Sequence, residues 1–149
     1  MSAPASPAVC LWQRLIDSTA CAALIGTRLA PLWSSEDTDF PRVVYTLISN
    51  DPQIHMGGGS GWTFQRVQFD IFALTSLECD DIAHAFFNRL HGFRGNITVG
   101  TDVRRFGLVK EENQRADPAL KSDGSDAVIY RRSLDYFISC GESIPALTA

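Results

Sequence analysis

The chain has 149 residues, 45% of them hydrophobic and 20% charged, with 13 Lys and Arg against 17 Asp and Glu for a net charge of −4. That length suits one domain whose core needs no disulfide or metal, and the composition excludes a collagen, a long coiled coil or a wholly disordered chain. A net negative chain disfavours nucleic-acid binding by bulk charge, no apolar run approaches the roughly 18–20 residues of a membrane span, and residues 1–9 lack the basic start of a signal peptide.

Residues 1–7 are small and Pro-rich and read as a flexible N-terminal arm. Val9, Leu11, Trp12, Leu15 and Ile16 recur at helical spacing, which predicts a helix over 8–16. Asp17, Ser18 and Thr19 supply cap-type residues before a second short helix over 20–25, ended by Gly26. A short extended piece over 27–30 stops at Pro31, and the polar, acidic stretch 33–40 reads as a surface loop.

Val43, Val44, Tyr45, Thr46 and Ile48 predict a strand over 42–49, with Pro52 confining the ladder there to an edge or a bulge. Residues 55–61 read as a glycine-dense loop at the tip of a hairpin. Over 63–74, Val67, Phe69, Ile71 and Ala73 alternate with Gln68 and Asp70, the pattern of a half-buried strand. Ser76 is the expected cap of a helix reaching His91. Its apolar stripe is Cys79, Ile82, Ala83, Phe86, Phe87 and Leu90, and Gly92 closes it. Residues 97–99 and 103–110 read as extended. Charged 111–126, with Pro118 and Gly124, reads as a long flexible loop. A last strand over 127–139 places Val128, Tyr130, Leu134, Tyr136 and Ile138 on one face.

The expected fold class is α+β: an antiparallel sheet of about four main strands, one long helix packed on one face, and a short N-terminal helix pair. A single domain over 8–140 lies between the arm and a patternless tail over 141–149. Cys10, Cys21, Cys79 and Cys140 form no CxxC pair and read as reduced thiols in a cytosolic setting, two or three of them in the core.

Catalytic patterns are weak. The stretch Met56-Gly57-Gly58-Gly59-Ser60-Gly61 lacks the Lys and the following helix that a phosphate loop needs. Asp80 and His84, with Cys79 and His91 nearby, do not make a metal motif, and Asp80 with Asp81 suits a helix N-terminus. No GxSxG elbow occurs, Cys79 lies on the apolar stripe, and the pairs Asp80–Asp81 and Glu111–Glu112 point their neighbours apart. No cofactor is expected and the chain does not read as an enzyme. Arg104-Arg105 and Arg131-Arg132 are interleaved with acids, as on a solvated or intersubunit face. Trp62 and Phe64 beside the glycine tip suit either a protein interface or a cap on the sheet core.

The order of these pieces is distinctive. A helix pair precedes Gly26-Thr27-Arg28-Leu29-Ala30-Pro31. Phe40-Pro41-Arg42-Val43-Val44-Tyr45 leads into the first long strand, and the glycine tip into Arg66-Val67-Gln68-Phe69-Asp70-Ile71-Phe72-Ala73. The helix ends in Leu90-His91-Gly92-Phe93-Arg94-Gly95, and the last strand carries Tyr130-Arg131-Arg132-Ser133-Leu134-Asp135-Tyr136. Over residues 8–140 the chain resembles the tail-completion, or tail-terminator, family of long-tailed bacteriophages and related prophage-like particles. The resemblance implies a virion protein at the tail–neck junction, assembled in the host cytoplasm as a hexameric ring that ends growth of the tail tube and offers the head-docking surface. The implied partners are further copies of the chain, the tail tube protein and a head–tail connector or stopper protein. Genome DNA would pass through without specific binding, and no membrane is involved. The resemblance carries no catalytic residue; Pro41, Asp70, Gly92 and Gly95 match as structural points. A head-closure or connector adaptor protein of the neck is the alternative. The expected contact residues are Met56, Gly57, Gly58, Gly59, Gly61, Trp62 and Phe64 at the tip, with Arg115 and Asp117 in the 111–126 segment.

Overall fold

The computed structural model describes residues 6–25, 29–31, 41–100, 102–121 and 128–141. The acidic stretch 33–40 and most of the N-terminal arm and C-terminal tail lie outside the described residues. In chain order the elements are α1 (Pro7–Ile16), α2 (Thr19–Ile25), β1 (Leu29–Pro31), β2 (Arg42–His55), β3 (Gly58–Ala73), α3 (Ser76–Leu90), β4 (Gly95–Val99), β5 (Asp102–Lys121) and β6 (Val128–Gly141). The strands form one six-stranded sheet in the order β1-β2-β3-β6-β5-β4, antiparallel except for the β1–β2 pair.

This corrects the expected α+β class. The molecule is mostly antiparallel sheet: six strands replace about four, and its helices are short pieces of 10, 7 and 15 residues, none of them longer than β3 or β5. The extra strand length comes from two segments read as loops. Residues 111–121 continue β5 as a ladder against β6, with Glu111 opposite Tyr136 and Lys121 opposite Val128. Charged residues and a proline argued against a strand there, but the edge of a sheet tolerates both. Pro118 falls in the register shift between Asp117 and Leu120, where its missing N–H interrupts no regular ladder bond. Likewise 55–61 is no seven-residue loop. His55 pairs with Gly58 and Ile54 with Gly59, leaving Met56 and Gly57 as a two-residue turn. Pro52 sits beside a register shift in β2, beyond the reach of β1.

The core lies between the sheet and the helices. Val67, Phe69, Ile71 and Ala73 of β3 and Leu134, Tyr136, Ile138 and Cys140 of β6 alternate inward and are fully buried. They meet Cys10, Leu11 and Leu15 of α1 and Cys79, Ile82, Ala83, Phe86 and Leu90 of α3. Phe69 is the centre, edge-to-face with Phe86 and with Tyr136 at 5.6 Å each. Phe87 was expected on this stripe; one residue round the helix from Phe86, it is instead 38% exposed and stacks on His91. All four cysteines are buried thiols outside any disulfide.

Local signals explain the helix ends. The Ser6 hydroxyl accepts from Val9 N with Pro7 in the first helical turn. At α3 the cap is Thr75 rather than Ser76; its hydroxyl accepts from Glu78 N at 3.2 Å. Gly92 follows α3 at φ +80°, the left-handed position that ends a helix.

Candidate subunit interface

The register places the two long hairpins at opposite ends of the sheet. The described part of β6 reaches Gly141, opposite Trp62, and Gly58–Gly61 with the Met56-Gly57 turn lie beyond that pair. At the other end Ala73 faces Tyr130, and the β5–β6 ladder runs on to the pair Lys121–Val128.

The β2–β3 tip is held by its own contacts. Gly57 N donates to His55 Nδ1 at 3.0 Å, Ser60 Oγ to the Gln53 carbonyl at 2.9 Å, and Ser60 Oγ accepts from Trp62 N. Gly58 and Gly61 take φ of 116° and 78°, which side chains other than glycine rarely adopt. Gly59 pairs with Ile54 within the ladder. Met56 is fully exposed and Ile54 is 82% exposed.

Trp62 and Phe64 point away from the helices. The Trp62 indole crosses β6 to β5: its Nε1 donates to Ser139 Oγ, and a Cβ on Gly107 would stand 2.7 Å from Trp62 Cζ2. Gly107 lies at a register shift of β5, so the bulge and the missing side chain together seat the ring. Phe64 stacks on Phe137 with centroids 5.6 Å apart. Both aromatics therefore brace the outer face of the sheet. Further along that face the Asp70 carboxylate, only 8% exposed, accepts from Ser133 Oγ at 2.6 Å, Gln68 Nε2 at 2.9 Å and Arg131 at 3.2 Å. No periodicity announced this cluster; an Asp inside an alternating strand was the one signal.

Arg115 is exposed and faces Ser133, and Asp117 faces Arg131 across the same ladder. Ser133 is six residues along β6 from the Ser139 that faces Phe64, a separation of about 20 Å at the rise of a strand. The structure thus divides the expected contact residues between two distant places rather than gathering them.

Both margins of the sheet carry unpaired backbone among the described residues. β1 covers β2 only over Val43–Tyr45, leaving Thr46–His55 without a neighbour on that side, with Leu47 and Ile48 about half exposed. β4 covers β5 only over Asp102–Phe106. The next stretch is plugged by the turn after α3: Gly92 N donates to the Val109 carbonyl at 2.7 Å, and His91 Nδ1 accepts from Glu111 N at 3.1 Å. From Asn113 to Lys121 the margin is open again among the described residues.

The residues weighed for chemistry are otherwise engaged. Asp80 pairs with Arg132, His84 Nε2 contacts Asn88 Nδ2, and the Cys79 thiol reaches the Tyr130 carbonyl. Burial raises the Cys79 and Cys21 thiols above their ordinary range. No group of three or more potential metal ligands occurs among the described residues, and no described helix is long and apolar enough to cross a membrane.

No protein-family model matches the chain, and no curated protein matches it. Among solved structures, its fold is similar to that of a chain in the virion of a native gene transfer agent (GTA) particle, with a TM-score of 0.61, 17% identity, and coverage of 88% of this chain and 91% of that one.

Proposed function

We propose that this chain is a structural, non-enzymatic protein of a phage-like virion. It forms a ring, of six copies on the tail-terminator reading, at the head-proximal end of the tail tube. There it ends tube growth and receives the head connector or stopper. The observation that carries this reading is the likeness of fold, over nearly the whole of both chains, to a component of a GTA virion. Two features of the sheet support it. The margins open among the described residues, Thr46–His55 of β2 and Asn113–Lys121 of β5, lie on opposite sides, so copies can join head to tail. A heterologous contact of that kind closes into a ring when its rotation closes, and unpaired strand edges are ready templates for it. The two hairpins reach out at opposite ends of the sheet, which leaves one free for the tube and the other for the head connector. Net charge −4 suits a ring that lets DNA pass without gripping it.

Electron microscopy of particles made without this gene tests the reading. A terminator's loss gives tails of uncontrolled, excessive length that do not join heads, and the protein is found on headless tails. Tails of normal length, with the protein retained on tailless heads, would transfer the chain to head closure instead.

A further inference from the structure

Arg14 and Arg89 meet near the C-terminal ends of α1 and α3. Arg14 Nε donates to the Arg89 carbonyl at 3.1 Å, and Arg89 Nε returns a bond to the Arg14 carbonyl at 2.9 Å. The Arg14 guanidinium lies 3.6 Å from the centroid of the Phe93 ring. Both residues are half-buried. Neither forms an ion pair among the described residues, and the terminal nitrogens of both guanidiniums are without a hydrogen-bond partner there. Burial, and then the neighbouring Arg89 charge, lower the pKa of Arg14 from its ordinary value.

Helix C-terminal carbonyls favour a cation, which accounts for the two Nε bonds. It does not account for two like charges held together and partly withdrawn from water with their outer forks unused. A guanidinium fork matches the two oxygens of a carboxylate, and the reciprocal Nε bonds and the Phe93 ring hold the forks in place in advance. We propose that Arg14 and Arg89 form a receptor for one carboxylate side chain of a second copy of this chain. The proposal rests on the ring reading for the identity of that neighbour. Charge balance favours this occupant: the chain has 17 acidic against 13 basic residues, and exposed Asp51 and Asp81 have no ion pair among the described residues. Two arginines on a net negative chain do not make the stripe of cations that a nucleic-acid backbone requires.

The test compares the full-length protein with Arg14→Gln/Arg89→Gln, with Arg14→Lys as a variant that keeps charge and loses the fork. The double variant is expected to melt a few degrees lower, having lost the two Nε bonds and the Phe93 contact, and, at a temperature where it is folded, to need roughly ten- to a hundredfold more protein to associate, as loss of a charged contact does. Arg14→Lys is expected to fall between. Sodium acetate, exchanged for chloride at constant ionic strength, is expected to raise the melting temperature of wild type saturably and not that of the double variant. Association of the folded double variant at wild-type concentrations overturns the receptor while leaving the ring standing. Wild type that stays monomeric with tail tubes present overturns the ring, and the acetate titration then decides the receptor: no saturable rise overturns it. That titration on wild type also decides if the double variant fails to fold. Binding of a labelled DNA duplex that the double variant loses, with subunit association intact, would reassign the pair to phosphate.

Discussion

Gly107→Ala is the sharpest probe of how the outer face of the sheet is built. A Cβ at this position stands 2.7 Å from Trp62 Cζ2 and 3.6 Å from Ser139 Oγ, so the indole must move. The ring cannot slide freely, because its Nε1 is bonded to Ser139 Oγ. Overpacking of this kind costs about 1–3 kcal/mol, and losing the indole bond adds about 0.5–1.5 kcal/mol. Reduced freedom of the unfolded chain returns about 0.4–1 kcal/mol. The expected net loss is therefore about 0.5–4 kcal/mol, centred near 2 kcal/mol, where the fall in melting temperature is roughly 4–8 °C for a domain near this size. Chemical denaturation of the single and double variants measures it: in a Trp62→Leu background the smaller side chain leaves room, and most of the cost of Gly107→Ala should vanish. A Gly107→Ala protein as stable as wild type would refute the reasoning. So would a cost that persists undiminished once the indole is gone.

Phe86→Ala removes the ring that packs edge-to-face on Phe69 at full burial, and an equilibrium unfolding curve should show a loss of about 3–5 kcal/mol; Phe87→Ala, at a 38% exposed position, should cost far less. The Tyr136 hydroxyl is buried and makes no hydrogen bond of ordinary geometry, although the Glu111 side chain stands close enough to raise its pKa together with burial. Tyr136→Phe should therefore melt at the wild-type temperature or above it, since a buried unpaired hydroxyl contributes only its desolvation cost. A clear fall would mean that the hydroxyl is bonded to the Glu111 carboxylate.

Hydrophobic periodicity placed α1 and α3, and cap-type residues placed α2, within a residue or two, because helix faces and helix ends are local patterns. The alternation Val67-Phe69-Ile71-Ala73 marked the inner face of β3 for the same reason, and all four side chains are fully buried. Asp70 was legible as an odd residue on the opposite face of that strand, but not its partners: Ser133 and Arg131 lie more than sixty positions away and meet it only through the β3–β6 register. Gly107 carries no sign in the sequence that an indole from residue 62 will lie over it.

The sequence by itself determined where the apolar faces lie, that α3 ends at Gly92, and that the cysteines stand apart in the chain. Those properties depend on residues within a turn or two of each other. Only the tertiary structure decided how far the strands run. Residues 111–121 have no strand pattern of their own; they are extended because β6 offers a ladder to pair with, and a backbone bond is indifferent to the side chain that carries it. The same holds for 58–61, where glycines that read as a loose loop complete the ladder opposite β2. The open margins and the Arg14–Arg89 pair also belong to the tertiary structure. An edge exists only where the neighbouring strand stops, and two like charges stand together only when the ends of two helices are packed into contact.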